Sequence, residues 1–112
     1  MESKTPDNKS LEQHEQEVSI RYKQLQQETQ VIIQKMMELE DEKRDNQLVM
    51  QTMGDVEDSR KCWRMVNGVL FEKTKADIIP ELEVAIKNND VVTKQLGDSL
   101  TQRKQEIMKL EQ

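Results

Sequence analysis

Apolar residues recur at every seventh position through the first half of this 112-residue chain. Leu11, Val18, Leu25, Ile32 and Leu39 form a row that continues through Asn46 to Met53. A second row, Glu15, Tyr22, Thr29, Met36, Lys43 and Met50, runs three residues ahead of it. These are the d and a positions of a heptad, with d the more apolar, and that spacing lines one stripe of an α-helix. The pattern predicts a helix over residues 11–53, roughly 60 Å long at about 1.5 Å per residue, with Gly54 placed to end it. A stripe this narrow has no interior of its own, so it needs a second helix.

That helix is written after residue 76. Ile79, Ile86, Thr93, Leu100 and Ile107, with the partner row Leu82, Asn89, Leu96, Arg103 and Leu110, carry the same period and predict a helix over residues 77–110. Pro80 favours Asp77 as the cap, because proline is comfortable only in the first helical turn. Thr74-Lys75-Ala76-Asp77 also resembles a cap, but a start there places Pro80 inside the helix. Ahead of the first helix, residues 1–9 are polar, contain Pro6 and show no period, so a disordered lead is expected. Ser10 and Gln13 then fit a capping box.

Two long helices joined by a short insert should fold back as an antiparallel coiled coil. With Met53 placed near Ile79, Leu25 faces Ile107, Ile32 faces Leu100 and Thr29 faces Arg103. Lys43 and Asn46 then meet Asn89 and Ile86, which gathers polar seam positions into one layer. Such a layer fixes register at some cost in stability.

The insert carries a hairpin signature over residues 60–74. Asn67-Gly68 lies between apolar runs, and both residues tolerate the positive φ that a type I′ turn requires. A two-residue turn pairs Val66 with Val69, Met65 with Leu70, Arg64 with Phe71 and Trp63 with Glu72. One face then holds Cys62, Val66, Val69 and Phe71 around Arg64, and the other holds Trp63, Met65 and Leu70. Both faces are apolar, and two strands alone leave two unpaired edges. The hairpin is therefore expected to join strands of other subunits. At the other end of the fold-back, Leu11, Val18 and Tyr22 approach Ile107, Met108 and Leu110, with Ile20 off the seam. These residues form a candidate adaptable surface for non-native chains.

Composition narrows the function class. The chain is 35% charged, 34% hydrophobic and 3% aromatic, whereas a compact globule is nearer half apolar. A net charge of -5 argues against a surface that tracks nucleic-acid phosphates. No run approaches the length of a membrane span, and the first residues lack an apolar signal core. The single cysteine, Cys62, cannot close an internal disulfide. A soluble intracellular protein is expected.

Nothing in the sequence assembles catalytic, cofactor or metal chemistry. His14 is the only histidine and sits on a polar helical stretch. Cys62 has no histidine near it in sequence and reads as a buried strand residue. Asp55, Glu57 and Asp58 match no metal-ligand loop. Gly54, Gly68 and Gly97 are too scattered to cradle phosphate. No enzyme is expected.

The run from Ser59 through Arg60-Lys61-Cys62-Trp63-Arg64-Met65-Val66-Asn67-Gly68-Val69-Leu70-Phe71 to Glu72-Lys73-Thr74, followed by Ile78-Ile79-Pro80-Glu81-Leu82, resembles the β-class prefoldin subunits of eukaryotes. The resemblance extends over residues 11–112. Trp63 stands where Tyr is expected, Asn67 where Gly is usual and Phe71 where a smaller aliphatic is common; all three suit a strand–turn–strand. The resemblance implies a heterohexamer with two α-class and three further β-class subunits, in which the hairpins build a double β-barrel platform. It further implies that the coil tips hold unfolded actin and tubulin and pass them, without ATP, to the cytosolic chaperonin. The competing readings are a structural coiled-coil subunit of another assembly and an enzyme that uses Cys62.

Overall fold

The structure, a computed structural model, describes the backbone of residues 4–112 and side chains from Ser10 onward. Its elements are α1 (Lys4–Thr52), β1 (Lys61–Val66), β2 (Val69–Thr74) and α2 (Lys75–Glu111). The chain is thus mainly helical, with one antiparallel hairpin between two long helices. It forms two compact units, a hairpin unit of residues 36–95 and a terminal unit of residues 1–35 with 96–112.

In the hairpin unit, Met53, Ile78 and Leu82 form a buried cluster against which Met50, Cys62 and Ile79 pack. Leu39 is also buried. The two helices run antiparallel here, since Met53, just past the end of α1, lies with Ile78 on α2 while Lys43 pairs with Asp90. α1 does not stop on a left-handed glycine as its sequence suggests. It tightens into a single 3-10 turn over Met53–Asp55, and Gly54 keeps negative φ. The turn leaves Val56 extended at φ -87° and ψ 142°, with its N–H bonded to the Met53 carbonyl at 3.1 Å. The Met53 carbonyl finds a donor this way without a left-handed residue.

The hairpin has the register its turn dictates. Lys61 pairs with Thr74, Cys62 with Lys73, Trp63 with Glu72, Arg64 with Phe71, Met65 with Leu70 and Val66 with Val69. Asn67 at φ 50° and Gly68 at φ 80° make the tight turn.

α2 begins at Lys75, two residues before the expected start, so Thr74 and not Asp77 takes the capping position. The reason is visible at Asp77, whose Oδ2 accepts from the Thr74 hydroxyl at 3.1 Å and from the Thr74 N–H at 3.4 Å. An acidic residue in the first turn reaching back to the cap is a capping-box geometry. The Ala76 N–H, an orphan of the first turn, donates to the Asp58 carbonyl at 3.4 Å. Pro80 consequently lies inside α2, where it leaves the Ala76 carbonyl without its helical donor.

In the terminal unit Leu25 and Ile32 are buried, and Val18, Tyr22, Thr29, Leu100, Ile107 and Leu110 are half-buried. These are the expected seam rows; Leu11 and Glu15, by contrast, are exposed. The helices again run antiparallel, with Arg21 meeting Glu106 and Glu28 meeting Arg103. Residues 1–3 of the expected disordered lead lie outside the described residues, and from Lys4 the backbone is helical. Pro6 falls in the first turn, where its missing N–H costs nothing. Ser10 therefore lies within the helix and does not act as its cap.

Candidate functional surfaces

The hairpin exposes most of what it carries. Trp63, Met65, Val66, Val69, Leu70 and Phe71 are between 39 and 64% exposed. Strand alternation places Val66, Val69 and Phe71 with Arg64 and Cys62 on one face, and Trp63, Met65 and Leu70 on the other. Only the base of the first face is covered, where Cys62 packs on the Met53–Ile78–Leu82 cluster. The chain's own helices therefore leave the second face and the turn-side part of the first exposed. Exposed apolar surface concentrated on one small two-edged sheet marks an interaction site.

Ionic contacts, which sequence reading did not identify, hold the hairpin base. Glu81 on α2 takes Lys73 of β2 and, at 3.7 Å, Arg64 of β1. Lys75, at the first residue of α2, donates to the carbonyls of Gly54 at 3.2 Å and Val56 at 2.9 Å, and lies 3.7 Å from Asp58. A cation at the end of α1 also suits the negative end of its dipole. A detectable signal for Glu81 was present, because Arg64 and Lys73 share one hairpin face and Glu81 follows one turn into the helix.

Asn89 is buried, and its amide, oriented from its neighbours, donates to the Ala85 carbonyl and accepts from the Lys43 backbone N–H, both at 3.3 Å. Lys43 reaches Asp90 at 2.7 Å, and this hydrogen bond raises its ammonium pKa. Asn46 is half-buried on the same stripe. The structure thus brings Lys43 and Asn89 together.

In the terminal unit Leu11, Ile20 and Met108 are 63, 57 and 62% exposed. Val18, Tyr22, Ile107 and Leu110 are divided between seam and solvent. The Tyr22 hydroxyl donates to Glu111 Oε1 at 3.2 Å. A charged network missing from the sequence reading lies beside this seam: Arg21 binds Glu106 and Glu28, and Arg103 binds Glu28 at 3.2 Å. Arg103 occupies the seam row itself and Arg21, Glu28 and Glu106 flank the rows, so laying out the flanking positions in the fold-back register would have found it. The hydrogen bond from Arg21 holds the Glu106 carboxyl below its usual range, against a smaller opposing effect of desolvation.

His14 and Cys62 belong to different units. Cys62 Sγ lies 3.7 Å from the Arg60 carbonyl. Among the described residues no group of three or more His, Cys, Asp or Glu is placed to hold a metal ion, and no helix is long and apolar enough to cross a membrane.

Two long helices bracketing one hairpin with exposed apolar residues define a mainly helical, helix–hairpin–helix class of chain. The model of the prefoldin subunit family matches residues 10–112, and the chain belongs to that family. It is similar to prefoldin subunit 2 of Homo sapiens, 37% identical over 84 residues, which is 75% of this chain and 52% of the relative. The chain thus spans about half the length of that mammalian relative. A probable prefoldin subunit 2 of Dictyostelium discoideum is 31% identical over 93 residues, covering 83% of this chain and 80% of its own. The crystal structure of the prefoldin β2 subunit from Thermococcus strain KS-1 has the same fold, with TM-score 0.70 and 21% identity over 81% of this chain and 97% of that one.

Proposed function

We propose that this chain is a β-class subunit of a heterohexameric prefoldin, assembled with two α-class and three further β-class subunits. The observation that carries the reading is the hairpin, whose two apolar faces and two edges lie uncovered. Strands from neighbouring subunits would satisfy both, closing a sheet that a single chain leaves open. The exposed residues Leu11, Ile20 and Met108, with Val18, Tyr22, Ile107 and Leu110 beside them, would contact clients. Unfolded actin and tubulin are the proposed clients, and the cytosolic chaperonin the recipient, which places the protein in the cytoplasm.

Such a subunit needs no cofactor and no chemistry. Several weak apolar sites acting together give useful retention, and each one alone releases readily. The test is the suppression of aggregation of chemically unfolded actin by the co-assembled hexamer without nucleotide. The reading expects suppression that falls when Leu11, Ile20 and Met108 are replaced together by Ser. Suppression that required ATP, or that ignored those replacements, would contradict it.

A further inference from the structure

We infer that Glu81 is a positioning residue for assembly: it fixes the hairpin against α2, so that the partner-facing apolar residues are presented in one orientation. This rests on the reading of the hairpin as the assembly element and names the residue that prepares it.

The geometry is specific. Glu81 sits on the second turn of α2 and receives a cation from each strand, Lys73 from β2 and Arg64 from β1 at 3.7 Å. Both cations lie on the face of the hairpin that carries Cys62, and their side chains are only 27 and 30% exposed, against 38% for Glu81. This is the base of that face, whereas Val66, Val69 and Phe71 toward the turn have no such cover. The apolar part of the anchor is small, because Cys62 is the one hairpin residue packed on the Met53–Ile78–Leu82 cluster. Lys75 ties the helix side of the joint to the Gly54 and Val56 carbonyls. The orientation of the sheet thus depends on a carboxylate held between two strands.

A two-stranded sheet is marginal by itself. If it also swung freely, each partner would have to pay the entropy of ordering it on binding. A carboxylate bridging two cations removes that freedom in advance without occupying the apolar faces. Because Glu81 binds the two hairpin cations, its loss should weaken assembly through mobility of the hairpin.

The experiment compares the full chain with Glu81→Gln, Glu81→Asp and the double variant Arg64→Gln/Lys73→Gln. Each is measured for helicity, for hydrogen exchange of the hairpin amides and for the partner concentration at half-assembly with the other prefoldin subunits. The expected result for Glu81→Gln is unchanged helicity, faster exchange in residues 61–66 and 69–74, and roughly two- to fivefold weaker assembly, of the size that partly exposed ion pairs confer. Glu81→Asp should recover part of the loss, and the double variant should resemble Glu81→Gln. Unchanged exchange or unchanged half-assembly in Glu81→Gln would overturn the inference. A wild-type chain that failed to assemble would instead overturn the reading beneath it, with the exchange data still reporting whether Glu81 holds the hairpin.

Discussion

Arg21 and Glu106 clasp the two helices of the terminal unit through paired contacts, Nε to Oε1 at 3.2 Å and Nη2 to Oε2 at 3.0 Å. Glu28 joins them by accepting from Arg103 at 3.2 Å and lying 3.7 Å from Arg21. Bidentate geometry is the strong form of the arginine–carboxylate pair, and here it crosses the seam where, among the described residues, Leu25 and Ile32 are the buried ones.

The sign of its pH dependence follows. Because the carboxyl of Glu106 is held below its ordinary value, its contribution is fully present at neutral pH and down to that ordinary value. It is lost progressively as pH falls from the ordinary value through the lowered one. Fluorescence from Tyr22 or exchange of α2 amides near residue 106 should report no loosening at neutral pH and growing loosening as pH falls below the ordinary glutamate range. Glu106→Gln should abolish that acid transition and make the terminal unit more open at neutral pH. The difference between variant and wild type should shrink in about 1 M salt, where the screening length is near 3 Å.

Asn89 is the buried polar residue of the hairpin unit, bonded to Ala85 and to the Lys43 backbone. Asn89→Leu should raise the unfolding free energy by about 1 kcal/mol, as apolar replacement of buried polar groups often does. It should also relax the register. A crosslink between cysteines placed at Ile32 and Leu100 checks this, forming efficiently in the wild-type background and less selectively with Asn89→Leu.

The two glycines bordering the hairpin should respond oppositely. Gly68 sits at φ 80°, so Gly68→Ala should cost roughly 1–2 kcal/mol by forcing a side chain into left-handed backbone. Gly54 has negative φ, and an added Cβ there meets no atom within 4 Å. Gly54→Ala should be neutral or stabilising by up to about 1 kcal/mol through the unfolded state. Chemical denaturation of both variants decides the pair.

At the start of α2, Asp77→Ala removes the acceptor of both Thr74 donors. The loss should be about 1 kcal/mol, typical of a cap, with fraying confined to the first turns. Exchange of amides 75–79 measures it.

The seam and the hairpin were legible in sequence because each depends on a local period. Heptad spacing named Leu25, Ile32, Leu39 and Leu82 as interior residues, and all four are buried. Asn67-Gly68 determined the strand register through turn geometry alone. What escaped depends on contacts between elements or on competition between local rules. Pro80 argued for a late helix start, but the bonds from Thr74 to Asp77 outweighed one missing donor. Gly54 was expected to end the helix, but α1 gives way one residue earlier to a 3-10 turn over Met53–Asp55. Glu81, Lys75 and the Arg21–Glu106 network are charged residues that read as ordinary solvated positions until the fold-back places a partner beside them.

The most direct measurement is native mass after co-expression with the other five prefoldin subunits, for the wild-type chain and for Val69→Asp. Val69 is 54% exposed and sits beside the turn opposite Val66, so a carboxylate there would be buried unpaired in any shared sheet. The hairpin-platform reading predicts a hexamer containing one wild-type copy, and exclusion of Val69→Asp from that hexamer while its helicity is retained. A wild-type chain that stayed monomeric with protected hairpin amides, or a Val69→Asp variant that assembled normally, would contradict it.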